Sequence, residues 1–133
     1  MTERPSKHWR DGVADEAGKV AAGTLNAEDA FMADLYPVPL LDATDAALGA
    51  FESQLRTLRS PSDDEVFEAV ERVVLALNVI NDQHDGAAYE TGEREELGDY
   101  IDQALTECGV DVSALTARHG LGRYEITDKW RDW

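Results

Sequence analysis

The strongest constraint on the fold lies in residues 60–82, which read SPSDDEVFEAVERVVLALNVIND. Ser62 and Glu65 have the spacing of a capping box, the reciprocal pairing of side chain and backbone that begins an α-helix. Apolar residues then recur every three or four positions, as on one helical face: Val66, Phe67, Val70, Val73, Val74, Leu77 and Ile80. A second apolar set widens this face: Leu75, Ala76 and Val79. The pattern predicts a central helix whose second half is buried nearly all round.

The N-terminal half of the chain carries weaker helical signals. Sparse apolar residues and scattered glycines over residues 1–23 predict a loose arm or a marginal helix, ahead of a helical core over residues 24–133. Asn26 is a suitable N-cap for a short helix, and the prolines of the following YPVPLLD are expected to keep that stretch extended. The spacing of the next apolar residues predicts a helix that begins at Asp42 or Thr44.

The C-terminal half predicts one long helix and some shorter turns. Thr91 or Gly92 begins a helix whose buried stripe ends with Cys108 and which Gly109 stops. A turn or two of helix can follow Ser113, and the final RYEITDKWRDW predicts a short strand and a terminal turn. Four or five helices with short connections indicate an all-α compact bundle, and 133 residues suit a single domain.

Charge restricts the classes of partner. The chain has 28 acidic and 12 basic residues and a formal net charge of −16. Such a surface repels nucleic-acid phosphates and anionic membranes, whereas a cationic protein is the matching partner. No apolar run approaches the roughly 20 residues of a membrane span. The single Cys108 and the lack of a charged, then apolar, opening segment lead us to expect a cytoplasmic protein, with homo-oligomerisation left open.

Residues 81–99, NDQHDGAAYETGEREELGD, raise the question of a metal site. The spacing does not match a calcium-binding EF-hand, because a glycine falls at the twelfth loop position, where calcium needs a bidentate glutamate. A transition metal could use an imidazole with carboxylates, and the candidate ligands are His84, Asp82, Asp85 and Glu90. A small metal-dependent hydrolase built on them is one alternative, although the leading interpretation involves no catalytic residue, metal or other cofactor.

Two features are candidate partner-binding surfaces. Acidic residues follow the outer face of the predicted helix after residue 91 and continue into the loop before it: Glu95, Glu96, Asp99, Asp102, Glu107, Asp82, Asp85 and Glu90. Trp130 and Trp133 lie one helical turn apart near the end of the chain. They either dock into the core or form an exposed anchor for a partner, and we favour docking.

Two segments, YETGEREELGDYID and YEITDKWRDW, resemble motifs of small uncharacterised prokaryotic acidic helical proteins, a resemblance that implies no activity. By size and charge the chain also resembles immunity proteins of bacterial toxin systems. We therefore expect a non-enzymatic, immunity- or antitoxin-like interaction domain that binds a cationic protein. The composition also resembles that of proteins from salt-loving archaea, so the alternative is an acidity that serves solubility alone.

Overall fold

The computed structural model describes residues 1–133 and contains helices and turns but no strand. The α-helices are α1 (Pro5–Ala21), the single-turn α2 (Met32–Leu35), α3 (Val38–Thr57), α4 (Asp63–Gln83), α5 (Thr91–Glu107) and α6 (Val112–Arg118). Short 3₁₀ turns occupy Ala27–Asp29 and Arg123–Glu125. The all-α bundle is thus confirmed. A 3₁₀ turn replaces the short strand that the sequence predicted near the C-terminus.

The core is organised around α3 and α4, which make the most extensive contact of any two helices. The buried apolar side chains form one continuous cluster, to which α1, α5 and α6 also contribute. Val70, Val74 and Leu77 of α4 are completely buried. Each such side chain stabilises the fold by about 1.5–3 kcal/mol relative to exposure. The predicted buried face of α4 is therefore confirmed, except at Phe67, which is half-buried.

The ends of the long C-terminal helices follow the predicted signals. Ser62 Oγ accepts the Glu65 backbone N–H at 3.2 Å, and the Glu65 carboxylate accepts the Ser62 backbone N–H at 3.1 Å. Thr91 begins α5 as predicted. Gly109, with φ +89°, follows the end of α5 in the left-handed conformation that favours glycine.

Residues 5–21 form a full helix packed on the bundle, whereas the sequence predicted a loose arm or a marginal helix. Trp9 accounts for the difference, since it is only 2% exposed. Its ring stacks on Tyr36 with centroids 5.3 Å apart and planes 5° apart. Its indole N–H donates to Glu96 Oε2 at 3.0 Å. One large aromatic residue therefore holds a helix whose other positions are mostly small or polar.

A buried polar cluster also joins α1 to α3 and α5. The Glu52 carboxylate is buried and accepts hydrogen bonds from Arg4 Nε and from the Tyr100 hydroxyl, both at 2.6 Å. Burial favours the neutral acid, but the hydrogen bonds from Arg4 and Tyr100 outweigh it and lower the pKa of Glu52. Burial raises the pKa of the Tyr100 hydroxyl, and the hydrogen bond to Glu52 raises it further. These groups bind one another, which indicates a structural role.

The predicted start of α3 is wrong, as is the extended YPVPLLD segment. The helix begins at Val38, well before Asp42, and Pro39 lies in its first turn. Proline is tolerated there because the first backbone N–H groups of a helix have no acceptor within it. Asn26 makes no side-chain capping bond, and the short helix predicted after it is divided into the first 3₁₀ turn and α2.

Three side chains that the sequence placed in the core are exposed. Cys108 is exposed at the C-terminal end of α5, so the buried stripe of that helix ends at Leu105. Leu75 and Val79 of α4 are 45% and 55% exposed. The core therefore covers α4 on one side only, and its second half presents apolar surface to solvent.

Candidate functional site

The predicted metal ligands do not converge. Asp82, Asp85 and Glu90 are exposed, and His84 is half-buried at the C-terminal end of α4. Nowhere in residues 1–133 do three or more His, Cys, Asp or Glu side chains lie in an arrangement that could hold a metal ion. The geometry gives no support to a metal-dependent hydrolase built on these residues.

The loop that carries those residues has a structural function instead. Asn81 Oδ1 accepts the Ala88 backbone N–H at 2.9 Å and so closes the loop onto the end of α4. Tyr89 is 1% exposed, and its hydroxyl lies 2.7 Å from Thr44 Oγ1 of α3. Burial raises the pKa of Tyr89 to about 12, so the phenol stays neutral at physiological pH. These contacts anchor the loop to the core.

Most acidic side chains of the predicted α5 surface form hydrogen bonds or ion pairs within the chain. Asp102 is 8% exposed, and its two carboxylate oxygens accept hydrogen bonds from Arg123 at 2.8 and 2.9 Å. Glu96 accepts the Trp9 indole N–H, and Glu107 accepts the Thr2 backbone N–H at 2.7 Å. The interpretation of Asp102 as an outward partner-binding residue is therefore wrong.

Glu95 and Asp99 are the two acids of the predicted α5 surface that remain exposed without an ion pair. They border a groove of about 510 Å³ that three arginines also line: Arg94, Arg123 and Arg131. Mixed charge of this kind lacks the strong negative potential that would select a cationic partner.

The two C-terminal tryptophans differ in their surroundings. Trp133 is 7% exposed and packs edge-on against Tyr89, with ring centroids 6.0 Å apart. It docks into the core as favoured, which excludes it as an exposed anchor. Trp130 is half-buried and lies beside Phe67, with centroids 6.4 Å apart. Only Trp130 therefore presents part of its ring to a surface.

Trp130 lines a groove of about 780 Å³ between α4 and the chain that follows α6. Its floor is apolar: Phe67, Leu121, Ile126 and Trp130. Four carboxylates surround this floor: Asp64, Glu68, Glu71 and Asp128. His119 and Lys129 complete the lining. We call this set of residues the α4 groove. An apolar floor within an acidic rim is complementary to a surface that is both apolar and cationic.

Asn78 fixes one wall of the α4 groove. Its side-chain N–H donates to the Trp130 carbonyl at 2.7 Å, and its side-chain oxygen accepts the Asp132 backbone N–H at 2.9 Å. One amide thereby ties the C-terminal segment to α4 on either side of Arg131. The Trp130 backbone is consequently fixed before any partner arrives.

His119 and Asp63 fix the other end of the groove. The His119 ring lies edge-on against Phe67, with centroids 4.8 Å apart, and its Nε2 is 2.9 Å from Asp63 Oδ2. Arg118 donates to both oxygens of Asp63, at 2.8 and 3.0 Å. Hydrogen bonds from Arg118, and then from His119, lower the pKa of Asp63 to about 2. The first turn of α4 is thus bound to the end of α6.

The rim continues along α4 as an exposed stripe. Spacings of four, three, four and four residues connect Asp64, Glu68, Glu71, Leu75 and Val79, which places them along one helical face. Asp64 and Glu71 make no salt bridge or side-chain hydrogen bond, whereas Glu68 pairs with Arg72 at 2.7 Å. The sequence alone shows that these residues share one helical face. This face was not recognised as a surface, because Leu75 and Val79 were interpreted as core residues.

Comparison of the chain with protein-family models, with curated proteins and with solved structures finds no match. None of the helices combines the length and apolar character that crossing a membrane requires. Functional inference therefore depends on the geometry of the α4 groove.

Proposed function

We propose that this protein is a non-enzymatic interaction domain that binds a cationic protein partner through the α4 groove. The observation that carries the proposal is the combination of a clamped aromatic floor with four carboxylates in the lining. Asp64 and Glu71 are unpaired, whereas Glu68 pairs with Arg72 and Asp128 lies 3.6 Å from Arg131. A partner with basic and apolar side chains on one face satisfies both parts of this surface. The chain's net charge of −16 adds long-range attraction and accelerates the encounter.

Affinity requires apolar burial in addition to charge. A stable interface buries about 800 Å² on each partner, and a few aromatic residues usually supply most of its free energy. Phe67 and Trp130 are the aromatic residues available in the α4 groove, and Leu75 and Val79 extend the apolar surface along the same helix. We assign association rate and salt dependence to the rim, and complex lifetime to the floor.

An immunity- or antitoxin-like function in the cytoplasm is one specific form of this proposal. An acidic protein of this kind would cover the basic surface with which a toxin binds nucleic acid or another anionic target. Size, charge and the complementarity of the α4 groove support this form.

The proposal is tested by capture of partners from an extract of the native cells, with matched charge variants. Asp64→Asn with Glu71→Gln neutralises two unpaired rim carboxylates. Glu28→Gln with Asp29→Asn removes the same charge from exposed positions in the first 3₁₀ turn, which also make no salt bridge. We expect basic proteins to bind the wild type and the second variant, and to bind the first variant much more weakly.

Salt dependence provides the second measurement. Between about 0.01 M and about 1 M salt the screening length falls from about 30 Å to about 3 Å, so retention should decrease steeply. Capture of no basic protein, or capture that both variants weaken equally, would contradict a groove-specific function. Capture of no basic protein would favour the alternative in which acidity serves solubility alone, whereas equal weakening would show that net charge, and not the α4 groove, attracts the partner.

A further inference from the structure

Lys129 has surroundings unlike those of the other two lysines. Lys7 pairs with Glu3 and Asp11, and Lys19 pairs with Asp15, each four residues away along the chain. Lys129 forms no salt bridge, although it lines a groove with four carboxylates. Its ammonium group lies 5.6 Å from the centroid of the Trp130 ring. This distance is within the range of about 6 Å at which an aromatic face attracts a cation.

The position of the Trp130 ring does not depend on Lys129. Asn78 holds the Trp130 backbone, and Phe67 supports the ring at a centroid distance of 6.4 Å. A fixed indole face with carboxylates nearby is a suitable environment for the cationic side chain of a lysine or an arginine. Because Lys129 is exposed and carries a flexible four-carbon side chain, it can leave this position without disturbing the core.

We propose that the α4 groove receives one lysine or arginine side chain of its partner against the Trp130 ring, and that Lys129 occupies this position in the free protein. This inference rests on the proposed function and specifies how the partner is recognised. Lys129 then competes with the incoming side chain, so its removal strengthens binding. A cation over an exposed aromatic ring corresponds to about a two- to five-fold change in affinity.

The test uses a defined probe, a capped helical peptide with leucines on one face and arginines on the other. A second peptide carries citrulline, the uncharged counterpart of arginine, at the same positions. Titration of ¹⁵N-labelled protein follows the indole N–H resonance of Trp130 and yields the affinity. We expect the arginine peptide to shift this resonance and the citrulline peptide to shift it only at a much higher concentration. Lys129→Gln should bind the arginine peptide about two- to five-fold more tightly than wild type.

Lys19→Gln is the matched control, because it removes the same charge from α1, away from the α4 groove. A larger gain for Lys129→Gln than for Lys19→Gln supports the inference. Equal gains would show that net charge alone matters and would overturn it. If the peptide shifts resonances along α4 but leaves the Trp130 indole unchanged, the inference fails and the proposed function stands. If no resonance of the α4 groove shifts, both are refuted.

Discussion

Replacing Trp9 with alanine is expected to destabilise the entire bundle by about 4 kcal/mol. Burial of a tryptophan removes about 200 Å² from water, and at about 25 cal/mol per Å² this corresponds to about 5 kcal/mol. An alanine side chain at this position still buries a small part of that area. Because Trp9 is only 2% exposed and stacked on Tyr36, almost all of the remaining stabilisation from burial is lost. Glu96 is half-buried and can be rehydrated, so the lost indole hydrogen bond adds only about 1 kcal/mol or less.

Urea unfolding of the wild type and two further variants measures this effect. Trp9→Phe keeps an aromatic ring beside Tyr36 but loses the hydrogen bond to Glu96, so we expect a loss of about 1–2 kcal/mol. Tyr124→Ala is the matched control, because this aromatic side chain is 73% exposed and its loss should change stability by about 0.5 kcal/mol at most.

The reasoning depends on α1 being part of the cooperative unit. Limited proteolysis provides an independent check, since Arg10 lies within α1 and is a trypsin site. We expect cleavage after Arg10 only at the rate of global unfolding. A loss below about 1 kcal/mol for Trp9→Ala, together with rapid cleavage of the wild type after Arg10, would refute this reasoning and restore the prediction of a loose arm.

Three smaller perturbations test individual contacts. Ser62→Ala removes half of the capping box and should cost about 1 kcal/mol in the free energy of unfolding, whereas no loss would show that the cap is not formed in solution. Because Arg118 holds the pKa of Asp63 at about 2, the stability contributed by this carboxylate is present above its unfolded-state pKa of about 4 and is lost as the pH falls toward 2. The difference in the free energy of unfolding between wild type and Asp63→Asn should therefore shrink between about pH 4 and about pH 2. A difference that stays constant over this range would contradict the ion pair. Asn78→Leu removes two hydrogen bonds and should cost about 1–2 kcal/mol and accelerate hydrogen exchange at the Asp132 backbone amide, whereas unchanged exchange would show that other contacts hold the C-terminal segment.

The elements that the sequence predicted well are those whose signals are local. The capping box before α4, the apolar periodicity of α4 and α5, and the glycine after α5 each act within one or two turns. One error arose where a single long-range contact decides the outcome. Residues 5–21 become a packed helix through Trp9, whose partners Tyr36 and Glu96 lie far along the chain. No periodicity within residues 1–23 reveals those partners.

The α4 groove was missed for a related reason. Its floor combines Phe67 of α4 with Trp130, and Asn78 ties Trp130 to α4 by binding the backbone on either side of Arg131. In the sequence, Asn78 is merely a polar residue that interrupts an apolar run. Helical spacing could have identified the exposed face from Asp64 to Val79, but it could not show which distant segment completes the groove.

Carboxylates with similar spacing on helices have opposite functions in this fold. Asp102 is buried against Arg123 and Glu52 against Arg4, so their charges hold helices together and are unavailable to a partner. Asp64 and Glu71 remain unpaired beside a clamped aromatic floor. Exposed apolar residues also occur at positions 31–38, but they lie on the single-turn α2 and the first turn of α3. Of these two exposed apolar regions, only the α4 groove combines free charge with an aromatic ring held in place from both sides, and for this reason we place the partner there.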